Sequence, residues 1–162
     1  MLILEDSLPY WLTHPRCLAQ EKLAFTAGNT QAATAALNAN IALFNPVVNA
    51  TVVVVFGIVI SVSAAMSVSI FQLTVDPALT AATAPANMRL GGTAAVSKFE
   101  SQSLARPAVG ADLSDFQLAV GVPVQACPEE WIVIPGGQGI LISSALVVGN
   151  MSVAIQFAES NF

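Results

Sequence analysis

His14 and Cys17 stand three residues apart, a spacing that can bring two ligands to one metal ion. A structural zinc needs four ligands, and no second histidine and no Cys-x-x-Cys completes the set. The same histidine could serve a Ser-His-Asp arrangement, since serines are plentiful. No Gly-x-Ser-x-Gly turn surrounds any of them. Pro135-Gly136-Gly137-Gln138-Gly139 has the composition of a phosphate-cradling loop but lacks the Lys-Ser/Thr that would follow one. Strand-like runs flank it, so a β-turn or bulge is expected. Glu129 and Glu130 are adjacent, and on a strand they point to opposite faces, a poor acid–base pair. Asp112 and Asp115 lie in a loop among small residues and could touch a cation, but a solvated loop accounts for them better. Aromatic residues are few and form no ladder for stacking sugars or bases. The expectation is therefore a chain with no catalytic residue, no metal and no cofactor, and not an enzyme.

With no chemistry to position, the elements themselves carry the information. The segment from Trp131 to Phe157 is the clearest. Trp131 to Ile134 and Ile140 to Val148 are apolar runs on either side of the Pro-Gly break, and Gly149-Asn150 follows. Then Met151, Val153, Ile155 and Phe157 share one parity, against Ser152, Ala154, Gln156 and Ala158 on the other. Period two marks a strand with one buried face, and Gly-Asn suits a tight hairpin turn. Thr51 to Ser63 is apolar on both parities, as a strand buried on both faces would be. Met66 to Thr74 reads as its partner across Ala64-Ala65. Asp76 to Pro85, Gly91-Gly92 and Arg106 to Ala111 read as breaks; Ala94 to Ser103, with Lys98 and Glu100 on a wetter side, and Phe116 to Val124 read as strands.

Residues 1–44 differ. They hold Glu5, Asp6, Arg16, Glu21 and Lys22, and Thr30 to Asn40 is rich in Ala, Gln and Asn. The segment lacks the apolar periodicity of an independent core and reads as an arm lying on a neighbour, or as an edge strand with a linker. Thr30 to Asn40 suits either a short helix or an extended stretch. Leu8, Tyr10 and Trp11, with Trp131, are the candidate interface anchors, since aromatic side chains often dominate binding. The fold class expected is all-β: an arm over 1–44, then an antiparallel β-sandwich of jelly-roll type over 45–162.

Composition bounds the setting. Of 162 residues, 55% are hydrophobic and 9% charged, against roughly 25% charged in ordinary soluble domains. So few charges leave a lone copy poorly covered, and partner chains are expected. Five scattered basic residues and a net charge of −5 exclude a phosphate-binding footprint, hence nucleic acid. No charge occurs between Lys22 and Asp76, which raises a membrane span over Val47 to Val75. Serines at period two, the dominance of valine and the missing interfacial anchors oppose that reading, so no membrane is expected. Cys17 and Cys127 read as free thiols, and Met1 to Asp6 lacks the basic start of a secretory signal.

The stretch WIVIPGGQGILISSALVVGNMSVAIQFAE, with VVVVFGIVISVSAAMSVSIFQL upstream and the Pro/Gly-rich crossover between them, resembles small β-sandwich virion proteins of tailed bacteriophages. It is most similar to capsid cement (decoration) proteins. The resemblance covers roughly Val47 to Glu159, is structural in kind, and brings no catalytic residue. It implies a homotrimer on the capsid surface of a virion, made in the host cytoplasm, that clamps major capsid protein subunits against internal pressure. A tail-fibre, head-fibre or receptor-binding module would use the same sandwich, with Asp76 to Gly92 and Arg106 to Asp115 as its recognition loops.

Overall fold

The computed structural model describes residues 24–46, 51–88, 91–126 and 132–160. Among them there is no helix. In chain order the strands are β1 (Ala24–Ala33), β2 (Asn38–Asn45), β3 (Val52–Val62), β4 (Met66–Leu73), β5 (Ala81–Ala82), β6 (Ala86–Asn87), β7 (Lys98–Leu104), β8 (Asp112–Leu118), β9 (Val124–Ala126), β10 (Ile132–Ile134), β11 (Gln138–Ser144) and β12 (Gly149–Ser160). They form two antiparallel sheets. Sheet A runs β10-β3-β12-β1-β6, with β9 also paired to β3; sheet B runs β5-β7-β2-β11-β4-β8.

The principal strands change sheet at almost every step. β1, β3, β10 and β12 belong to sheet A, and β2, β4, β8 and β11 to sheet B. Only the step from β4 to β8 stays in one sheet, and the long insertion carrying β5, β6 and β7 makes it. Two Greek keys wrapped on each other in this way make a jelly roll. The fold is thus the antiparallel β-sandwich expected from the alternating runs.

The core follows from the pleat. Phe25, Ile58, Ile60, Ile155 and Phe157 from sheet A meet Ile41, Leu43, Val68, Ile70, Ile140 and Ile142 from sheet B, all under 3% exposed. Phe25 and Phe157 stack at 5.5 Å between ring centroids. Each such side chain, taken fully out of water, contributes about 1.5–3 kcal/mol before chain entropy is set against it. At one flank the sheets are joined by side chains. Asn29 donates to Ser101 Oγ at 2.7 Å and Gln31 to Ser103 Oγ at 2.6 Å.

Several expectations are corrected. Residues 24–44, assigned to an arm, are built into the sandwich as β1 and β2. β2 is buried along its whole length, between β11 and β7. Its three asparagines concealed this. Asn38, Asn40 and Asn45 donate their amide N–H groups to the backbone carbonyls of Ser144, Leu104 and Ile134, which offsets much of the cost of burying them, although Asn40 Oδ1 is buried with no hydrogen-bond partner. Gly149-Asn150 is not a hairpin turn. It opens β12, and β11 before it lies in the other sheet. The same holds for β3 and β4, which leave Ala64-Ala65 into different sheets. Asp112 and Asp115 stand on β8, not in a loop. The strands expected over Ala94 to Ser103 and Phe116 to Val124 are displaced, to Lys98–Leu104 and Asp112–Leu118. Val47 to Val75 is mostly β3 and β4, and no helix among the described residues is long and apolar enough to cross a membrane.

Candidate functional site

Leu8, Tyr10, Trp11 and Trp131, the expected interface anchors, lie outside the described residues, as do His14, Cys17, Cys127, Glu129 and Glu130. Pro135 to Gly139 makes the turn from β10 to β11. Gly137 adopts φ +80° and donates its N–H to Asn45 O at 2.7 Å. Gly139 lies against β2 so closely that a Cβ would stand 2.5 Å from Leu43 O. Its glycines therefore serve backbone approach. Among the described residues no three His, Cys, Asp or Glu side chains gather to hold a metal ion.

The charged groups that are placed do structural work on the insertion. Segment 74–80 crosses the outer face of sheet B and buries Leu79 in a second cluster with Ala42, Phe44, Phe71, Leu73 and Leu141. Glu100, 8% exposed, accepts the Leu79 N–H at 3.0 Å. Asp76 accepts the Ala78 N–H at 2.9 Å and pairs with Lys98 at 2.6 Å. Burial, then the nearby Asp76 charge, pushes the Glu100 carboxyl above its ordinary value, against the Leu79 N–H and Lys98. Burial acts on Asp76 in the same sense, but its bonds to Lys98 and Ala78, with the Lys98 charge, outweigh it and hold that carboxyl below its usual range. The Asp76 hydrogen bond and charge raise Lys98 in turn. Arg106 lies over the Phe71 ring at 4.6 Å and donates Nε–H to Ser143 Oγ at 3.2 Å, fixing the returning arm of the insertion. Glu159, 6% exposed, accepts from Ser97 N at 2.8 Å, from Ser97 Oγ at 2.6 Å and from Val96 N at 3.0 Å. Of the segments expected to be recognition loops, Asp76 to Gly92 thus buries Leu79 on sheet B and pairs Ala86–Asn87 with β1 at the edge of sheet A, and Arg106 to Asp115 packs on sheet B and runs into β8.

Sheet A is the reverse. Glu159, at the end of β12 and buried, is the only ionisable side chain on any of its strands. Its outer face carries two cross-strand rows, Thr30–Ser152–Ser61 and Gly28–Ala154–Val59. Thr30 Oγ1 and Ser152 Oγ bond each other at 2.7 Å. Two shallow depressions of about 450 and 580 Å³ adjoin along this face and share Thr30, Ser61 and Ser152 in their linings.

One end of the sandwich is equally free of charge. The connections 34–37, 63–65, 119–123 and 145–148 contain no charged residue. Backbone bonds tie three of them to neighbouring strand ends: Ser63 N to Asn150 O of β12 at 2.9 Å, Gly121 N to Val62 O of β3 at 2.9 Å, and Ala145 N to Ser67 O of β4 at 2.8 Å. Here Leu37, Val120, Val122, Leu146 and Val148 are between 38% and 71% exposed. The unbroken apolar run from Ile140 to Val148 conceals this end in the sequence. The signal was there in Ala145 to Val148, apolar residues beyond the last residue that β11 can pair.

Comparison of the chain with protein-family models, with curated proteins and with solved structures finds no match.

Proposed function

We propose that this protein is a structural component of a virion, a capsid cement or decoration protein. It self-associates and bridges major capsid subunits on the outside of a phage head, without catalysis. The observation that carries this reading is the partition of charge over the jelly roll. Asp76, Lys98, Glu100, Arg106, Asp112 and Asp115 lie on sheet B or the insertion that covers it. Among the described residues, the exposed outer face of sheet A and the loop end carry none. Surfaces with exposed valine and leucine and no ion are suited to being covered by protein, where apolar area leaves water at about 25 cal/mol per Å². The loop end, with Val120, Val122, Leu146 and Val148 each more than half exposed, is the foot that seats on the shell.

The test is co-sedimentation of the purified full chain with empty capsids, alongside its mass in solution. Saturable binding at many copies per particle, from a chain that self-associates, is the expected result. A single copy at all concentrations that leaves capsids in the supernatant overturns the proposal.

A further inference from the structure

We infer that the exposed outer face of sheet A is the surface through which two copies of this chain associate, a conclusion that rests on the self-association proposed above and names its surface. Three observations select the occupant. The first is charge. The chain carries a net charge of −5, so two copies repel wherever their acidic groups meet, and among the described residues this face presents no ion to oppose itself. The second is its polar chemistry. Thr30 and Ser152 share one hydrogen bond at 2.7 Å, so the pair enters an interface with one O–H already bonded and one left to donate across it. Val59, 42% exposed, lines a shallow uncharged depression with Gly28 and Ala154, a surface that a two-fold axis can set against its own copy.

The third is area. The exposed part spans residues 26–32 of β1 with 150–156 of β12, and β3 and its edge partners lie beyond. At about 3.4 Å per residue and ~4.8 Å per strand, four strands present roughly 450 Å² per copy, or ~900 Å² per pair. Stable interfaces begin near ~1,200 Å², so this one forms a weak pair that dissociates on dilution. An interface of that kind closes readily once copies are concentrated on a larger surface. A face that meets itself does so across a two-fold axis, which gives two copies and not the three that the resemblance implies.

The experiment is sedimentation velocity on the full chain over a concentration series, with Ala154→Lys as the probe. Ala154 is exposed at the centre of the face, and a lysine there sets two cations against each other across the axis. Ala108→Lys, exposed on the insertion over sheet B, is the control. Far-UV circular dichroism confirms that each variant is folded. The expected result is a monomer–dimer equilibrium that Ala154→Lys weakens by about tenfold or more and Ala108→Lys leaves alone. A dimer indifferent to Ala154→Lys, or a trimer, overturns this surface while self-association stands. A single copy at every concentration overturns both.

Discussion

Glu100 is 8% exposed, accepts the Leu79 N–H and lies in the field of Asp76, and these facts set how it titrates. Its folded value lies above the ordinary 4.5, so between the two the folded chain binds more protons than the unfolded one. Stability therefore falls as pH rises through that window and stays lower above it. Asp76 acts in the opposite sense and lower: its contribution is present above 3.8 and is lost as pH falls through its depressed folded value. Glu100→Gln keeps an oxygen for Leu79 and removes the charge. The expected outcome, by urea denaturation at several pH values, is a variant as stable as the native chain below pH 4.5 and more stable at neutral pH. Gly139 makes a different demand. A methyl group there meets Leu43 O at 2.5 Å and Phe44 Cα at 3.0 Å, backbone atoms that cannot swing aside. Gly139→Ala should cost about 2 kcal/mol, read as a lower urea midpoint at unchanged slope.

At the scale of elements, the insertion between β4 and β8 covers sheet B, and Leu79 is its anchor. Leu79→Ala should cost about 2 kcal/mol, at the low end for buried leucine because segment 74–80 can settle into the space. Limited proteolysis should then cut first within 74–80. How far these elements were legible depends on what a residue pattern reports. The alternation over 151–157 located β12, and the doubly apolar run 52–62 located β3 as a strand with neighbours on both sides. Pairing was not legible, because alternation describes a strand's two faces and is silent about which strand lies beside it. β3 and β4 are close in sequence and were therefore read as a hairpin, yet they face each other across the core. β2 was hidden because asparagine is a poor signal for burial, and only the partner carbonyls from distant strands make its burial affordable. Phe56 and Leu113 are the residues skipped where strand registers shift, and no local pattern marks either.

For the whole molecule, the division between a charged, covered sheet and one whose exposed outer part carries no charge among the described residues is the feature with most bearing on use. The loop end belongs to the uncharged side. Replacing Val120, Leu146 and Val148 together with serine should leave stability within about 0.5 kcal/mol, since all three are exposed, while lowering the fraction that sediments with capsids. Unchanged sedimentation would place the contact elsewhere on the surface. The candidate site was only half legible in the sequence. The scarcity of ionic groups announced that partners are needed, but which surfaces lack them depends on how eight strands are distributed over two layers. That distribution also governs how the chain can be made. β11 lies between β2 and β4, and β12 between β1 and β3, so the two strands that leave the ribosome after all the others are the central ones in their sheets. Until they emerge, β1 and β3 have no common neighbour and neither do β2 and β4. The earlier strands must wait with unzipped edges, valine-rich β3 among them, and a chain interrupted before residue 138 holds neither sheet together.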